Sequence, residues 1–352
     1  MILLQAGVLV IGGVAAACGG GGGTETTMEP PLSSGGTPEP VAWTELAPSG
    51  AVPDPRSGMT LVYEPAGGRF LLFGGWDQDT DFGDTWAYDP LAGTWSDLAP
   101  AGALPAPRSL YQMAYDEVAG KAVVFGGTSD AGRFGDTWLY DPVDNTWSEV
   151  VGAPSPEARS AGAMVYLDDT EMILLFGGVG DAGRFADTWV FLSASGQWIK
   201  VAPYETVPLA RSGHAMAYDR SAGKVILFGG YDGSNLLSDT WAYDPQGDAW
   251  TELSPSGNVP SPRGNHRMVF DTSVSRVVLF GGFDGNTELD DTWAYDIASN
   301  TWTEVQVTGS RPAGREEHAL VYDPHAGRVL LFGGFDASDT DLNDLWALPV
   351  AP

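Results

Sequence analysis

Three arginine–histidine pairs offer the most chemistry in this sequence: Arg211 with His214, Arg263 with His266, and Arg315 with His318, each histidine three residues after its arginine. Guanidinium and imidazole at one spacing could receive an acidic ligand, and three imidazoles could in principle ligate a metal ion. A second group is Asp77, Asp79, Asp81 and Asp84, whose alternating carboxylates are spaced as in calcium loops, with Asp336, Asp339 and Asp341 as a fainter echo. No bidentate glutamate follows in the manner of an EF-hand, so turn aspartates facing solvent are the competing reading. A third group is aromatic: Trp76, Tyr231, Phe283 and Phe335 each directly follow a Gly-Gly pair. Such side chains could stack on a sugar or a peptide, or simply pack on a rim.

All three groups sit inside one repeated unit. Arginines fall at Arg56, Arg108, Arg159, Arg211, Arg263 and Arg315, and 17 residues after each stands a phenylalanine followed by two glycines. An aspartate follows 11 residues later, or 12 in the last unit, opening a strand of the type Asp239-Thr240-Trp241-Ala242-Tyr243. Of 13 tryptophans, 12 occupy two repeated positions. In unit four, Ala215 to Tyr218, Lys224 to Phe228, Thr240 to Tyr243 and Trp250 to Leu253 read as four short strands separated by turn residues. Four such strands cannot bury two faces alone and must stack on copies of themselves. The tryptophans are therefore expected to pack between sheets.

The period near 50, the apolar run ending in Gly-Gly, the aromatic strand and the spaced tryptophan resemble the kelch-repeat family over residues 43 to 350. The resemblance implies an all-β fold: a six-bladed β-propeller of kelch type, with four antiparallel strands per blade, over residues 41–352. The last unit lacks its closing tryptophan strand. Trp43-Thr44-Glu45-Leu46, 13 residues before Arg56 as Trp250 is before Arg263, stands in register to supply it. The N-terminal strand is thus predicted to close the last blade and remove the open edges. Strand order places the arginines, the Gly-Gly pairs and the long loops on one face, leaving tight turns on the other. Function on rigid scaffolds favours the longer loops, so the arginine face is the expected binding face. There the six arginines would form a ring of cations, or else pair with blade aspartates and crossover carbonyls. Kelch repeats, which these resemble, often carry histidine after the arginine, which implies a structural role for His214, His266 and His318. Neighbouring blades also hold equivalent imidazoles too far apart to share one ion.

Met1 to Ala17 is uncharged and apolar, shorter than a membrane span, and reads as a signal peptide. Val14-Ala15-Ala16-Ala17-Cys18 resembles a bacterial lipoprotein cleavage site, although no basic residue precedes it and Ala15 replaces the usual leucine. Cys18, the single cysteine, is then the lipidation site, and residues 18–40, rich in Gly, Ser and Pro, form a flexible tether. A net charge of −29 repels nucleic acid and anionic headgroups, so neither is an expected partner. Copper oxidases of this fold need a cysteine joined to tyrosine within the propeller, and the only cysteine lies outside it; nor does any histidine have an aspartate four residues before it, as the iron-dependent specifier proteins require. The expectation is a monomeric binding module without a cofactor, exported to the cell envelope, touching the membrane only through its anchor and presenting one face to a protein or glycan. The alternative is a sugar-acting, epimerase-like enzyme with its site at the channel mouth.

Overall fold

The computed structural model describes residues 41–152, 154–203 and 206–349. The expected signal peptide, Cys18 and the tether up to residue 40 lie outside the described residues. Within them the chain is all-β and forms six blades of four antiparallel strands, as the repeat predicts.

Blade 4 shows how the repeat becomes a sheet. Its strands run Ala215–Asp219, Lys224–Tyr231, Leu236–Asp244 and Ala249–Leu253, paired in chain order from the axis outward. The second strand is apolar after its opening lysine, with Val225, Ile226, Leu227 and Phe228 all fully buried, because it lies mid-sheet between two neighbouring blades. Register is regular up to Phe228↔Thr240 and then shifts, resuming at Gly230↔Leu237. The bulge is made by Gly229 and Gly230, both at positive φ. A Cβ on Gly230 would lie 2.9 Å from both the Cβ of His214 and the carbonyl oxygen of Ser212, so only glycine fits this close approach.

The first strands of neighbouring blades pack around the axis. Thr44–Leu46 pairs antiparallel with the last strand, Thr340–Pro349, with Thr44 opposite Ala347 and Leu46 opposite Leu345. The first ordered strand therefore completes blade 6, as the position of Trp43 predicts.

Neighbouring blades are joined at three levels. At the outer edge each fourth-strand tryptophan reaches back to the preceding blade: the indole N–H of Trp147 donates to Thr85 Oγ1, Trp198 to Thr137, Trp250 to Thr188, Trp302 to Thr240 and Trp43 to Thr292. Trp95 is the exception. Its Nε1 is buried without a partner because Leu345 of blade 6 stands where the other blades carry threonine. At mid-radius the backbone of each arginine staples two blades. The Gly230 N–H, for instance, donates to the Arg263 carbonyl at 2.9 Å, and the Arg263 N–H donates to the Leu237 carbonyl at 3.1 Å.

At the inner edge lies a feature with no obvious sequence signature. Gly58, Leu110, Ala161, Gly213, Asn265 and Glu317, each two residues after a repeat arginine, form a closed cycle of backbone hydrogen bonds. Leu110 donates to Gly58, Ala161 to Leu110, Gly213 to Ala161, Asn265 to Gly213, Glu317 to Asn265 and Gly58 to Glu317, at 2.7 to 3.0 Å. All six residues are left-handed, with φ between 52° and 66°. Four of them are not glycine, a strained choice that six mutually supporting bonds hold in place.

Candidate functional site

The repeat arginines are buried, five at 0 % exposure and Arg315 at 1 %. In blade 4 the Arg211 guanidinium clamps Asp239 through two N–H···O bonds of 2.7 and 2.6 Å, and donates further to the carbonyls of Gly229 and Leu209. The same carboxylate accepts the indole N–H of Trp241 at 2.7 Å. This network recurs in all six blades, from Arg56 with Asp84 to Arg315 with Asp344. In blades 1, 2 and 3 a phenylalanine caps it, with Phe82, Phe134 and Phe185 lying 3.9 to 4.0 Å from the guanidinium carbon. Burial pushes the carboxyls of Asp136 and Asp187 upward, but hydrogen bonds from Arg108 and Arg159 outweigh it and hold both below the usual carboxylate range.

This corrects the expected ring of ligand-facing cations at Arg56, Arg108, Arg159, Arg211, Arg263 and Arg315. Their donors are spent inside the blades, on the aspartates and carbonyls of the competing reading. The histidines are equally withdrawn. His214, His266 and His318 are at most 2 % exposed and stand edge-on to Phe176, Phe228 and Phe280 of the preceding blade. Burial, reinforced by nearby guanidinium charge, lowers the pKa of all three, that of His214 to about 3, so they are neutral packing groups. At the same register in blade 2, Tyr111 sends its hydroxyl to the Phe73 carbonyl.

The aromatic loop residues lie on the crossover face. Tyr231 is exposed at 36 %, with the Arg184 guanidinium 4.4 Å from its ring, while Trp76, Phe283 and Phe335 are half-buried. In blades 1, 4 and 6 the second and third strands continue past the Gly-Gly bulge as raised hairpins. Asp77 lies in the turn of the first, where it accepts the N–H groups of Asp79 and Thr80, and Asp81 accepts the N–H of Asp130. Among the described residues no three His, Cys, Asp or Glu side chains converge as ligands for an ion, so Asp77, Asp79 and Asp81 are not brought together.

The residue the sequence reading passed over is Arg267. It opens the innermost strand of blade 5, Arg267–Asp271, where the other blades place Thr60, Gln112, Ala163, Ala215 and Ala319. Aligning the six units by their arginines would have found it as the one charge at this register. Its side chain lines an axial cavity of about 480 Å³, and among the described residues it makes no ion pair within 4 Å. The cavity begins just inside the hydrogen-bonded ring, at Tyr111, Gln112, Gly162, His214 and Arg267. It runs to Pro65, Glu117, Arg220, Thr272 and Pro324 on the turn face. The ring residues themselves line only a pocket of about 20 Å³. The channel is therefore constricted at the arginine face, and its wide end lies opposite the expected mouth.

At the constriction, burial, Glu316 and Asp341 push the Glu317 carboxyl up to about 7, with Arg267 acting in the opposite sense. Because this pKa is raised in the folded state, the stability involved is complete below the ordinary glutamate value and is lost as pH rises through about 7. Glu317→Gln is accordingly expected to raise the melting temperature at pH 8 and to change it little at pH 5. The gain is bounded by about 3 kcal/mol, less whatever water recovers at this partly exposed group. Equal effects at both pH values would show that ionisation of Glu317 is not the cause.

With the geometry in place, the class follows. The family model for the KLHDC2/KLHL20/DRC7 kelch-repeats domain matches residues 8–218 and 151–322. The chain belongs to the kelch-repeat family, and its fold is a kelch β-propeller. It is 29 % identical over 342 residues to the dynein alpha chain of the flagellar outer arm of Chlamydomonas reinhardtii, a match covering 89 % of this chain and 7 % of that protein. It is 35 % identical over 135 residues to Mei4-dependent protein 6 of Schizosaccharomyces pombe, covering 35 % of this chain and 19 % of the relative. It is 28 % identical over 255 residues to human host cell factor 2, covering 66 % and 31 %. The chain spans less than a third of the length of each of these relatives.

Proposed function

We propose that the propeller is a protein-binding module, exported and held at the cell envelope through Cys18, whose crossover face docks a basic partner. The observation that carries this reading is the division of labour among charges and loops. Every recurring arginine is committed inside its blade. What the crossover face offers is the hairpin aromatics and an uneven distribution of carboxylates. The loops after Gly-Gly in blades 5, 6 and 1 carry Asp284 and Glu288, then Asp336 and Asp339, then Asp77, Asp79 and Asp81, with no basic residue in residues 283–290, 335–343 or 76–82; Asp290 is already paired with Arg311 at 2.9 Å and Asp341 is buried. In blades 2 and 3 the loop charges neutralise each other through Arg133 and Asp181, 2.7 Å apart. Backbone N–H groups hold Asp232 and Asp284 below the usual carboxylate range, so these loop anions stay charged.

An acidic sector beside rigid aromatic anchors suits a lysine- or arginine-rich protein surface better than a neutral glycan. The test has two arms. Cys18→Ser should release the chain from the membrane fraction. Trp76→Ala together with Tyr231→Ala should weaken capture of the cognate envelope protein at least tenfold, at unchanged urea midpoint, and raised salt should weaken it further. Capture indifferent to both the loop substitutions and salt would remove the crossover face from the reading.

A further inference from the structure

The axial cavity is independent of that face, opens on the opposite side and has no part in the binding module just described. We propose that it is a binding site for a small monocarboxylate with an apolar body, which enters from the turn face and is held at its inner end by Arg267.

The unpaired guanidinium, the aromatic residues beyond it and the size of the cavity converge on this ligand. Arg267 is a guanidinium in a cavity with no carboxylate within ion-pairing distance among the described residues, where its one side-chain hydrogen bond goes to the His266 carbonyl at 3.3 Å. Its remaining donors match the two oxygens of a carboxylate in the forked geometry that makes arginine the usual partner of this group. One positive charge among acidic neighbours balances a monoanion and leaves a dianionic phosphate half-compensated.

The body of the ligand is defined by the other end. Three residues beyond Arg267 on the same strand, Phe270 joins Tyr63, Tyr115, Tyr166, Tyr218 and Tyr322 in a ring of aromatic side chains, all lining the cavity. Three residues of strand place that ring roughly 10 Å from the guanidinium, the length of a short chain or an aromatic group with a spacer. Between the two ends the wall is built from edge strands, each paired on one side only, so backbone N–H and C=O groups alternate along it. A cavity of about 480 Å³ falls within the range of small-molecule sites. At the mouth, Arg220 reaches across from blade 4 to Glu117 of blade 2 at 2.7 Å and Asp168 of blade 3 at 3.1 Å, which narrows the entrance on that side. The net charge of −29 disfavours any anion at long range. At physiological salt that field decays over about 8 Å, leaving the local guanidinium to decide binding inside the channel.

Titration of the full-length protein at pH 6 with 4-phenylbutyrate, 4-phenylbutanol and inorganic phosphate, followed by calorimetry, tests the assignment. The expected result is one-to-one binding of the carboxylate, with the alcohol and phosphate each at least tenfold weaker, and at least a tenfold loss for 4-phenylbutyrate in Arg267→Gln. Thr272→Trp, at an exposed mouth position that carries no packing, should also weaken binding, and this variant serves if Arg267→Gln does not fold. Failure of the wild-type protein to bind 4-phenylbutyrate, or tighter binding of phosphate, overturns the monocarboxylate assignment. Binding unaffected by Thr272→Trp overturns entry from the turn face, and binding retained in folded Arg267→Gln overturns the role of the guanidinium.

Discussion

Arg211→Ala is expected to destabilise the propeller by about 3 to 5 kcal/mol, because the substitution leaves the Asp239 carboxylate in a site built to neutralise it. The mechanism is specific. Asp239 is 21 % exposed, accepts from both terminal nitrogens of Arg211 and from Trp241, and would keep only the last of these. Removing the pair together, as Arg211→Met with Asp239→Leu, should recover much of the loss, since buried ion pairs are poor net stabilisers although broken ones are costly. Arg133→Ala provides the contrast. It breaks a pair whose aspartate, Asp181, is 88 % exposed, and its cost should stay within the range of surface pairs, below about 1 kcal/mol. The urea midpoint of the three variants measures all of this, and an Arg211→Ala protein as stable as Arg133→Ala would mean that water reaches Asp239 freely.

A comparable loss is expected at the other end of the chain. Trp43→Ala should cost about 3 to 5 kcal/mol, the usual range for a fully buried tryptophan, although the residue lies only two positions into the described chain. Trp43 is 2 % exposed, packs edge-on to Phe280 at 5.3 Å and donates to Thr292 Oγ1 at 3.3 Å. Its neighbours also tie down: the Val41 carbonyl accepts from the Thr308 N–H at 2.9 Å, and the Val41 N–H donates to Gln306. The three-residue pairing of Thr44–Leu46 with the last strand is short, so most of the closure energy resides in this indole rather than in the ladder. Limited proteolysis is the second readout. Trp43→Ala should expose the last strand, Thr340–Pro349, to cleavage while the middle blades remain protected. Cleavage spread evenly over all blades would instead indicate that the ring unfolds as one unit.

The fold was legible because packing is periodic. Six copies of arginine, Gly-Gly and tryptophan fixed blade number, strand order and the place of the first strand, since each repeated residue answers to the same neighbour in the next copy. The site was less legible for the same reason. A residue type that recurs six times draws the eye as a functional ring, yet recurrence here marks a joint: the arginine repeats because each blade ties its crossover to its own Gly-Gly bulge and third strand. The informative positions are those where the repeat fails. Arg267 among small and neutral residues, and Leu345 among threonines, change the cavity and orphan the Trp95 indole, and a comparison of the six units position by position contains both. The cycle at Gly58, Leu110, Ala161, Gly213, Asn265 and Glu317 was beyond that method, because only two of its six left-handed residues are glycine.

That cycle also determines which groups give its end of the channel a charge. Peptide units aligned along a helix axis add their dipoles and create polarity at the helix ends. Here six N–H···O bonds chase one another around a closed loop, and vectors laid tangentially on a closed loop sum to nothing in its plane. The backbone therefore encircles the axis without making the opening attract either sign of ion in that plane. Whatever preference the narrow end possesses is written by side chains, Arg267 below it against Glu317 within it and Glu316 beside it.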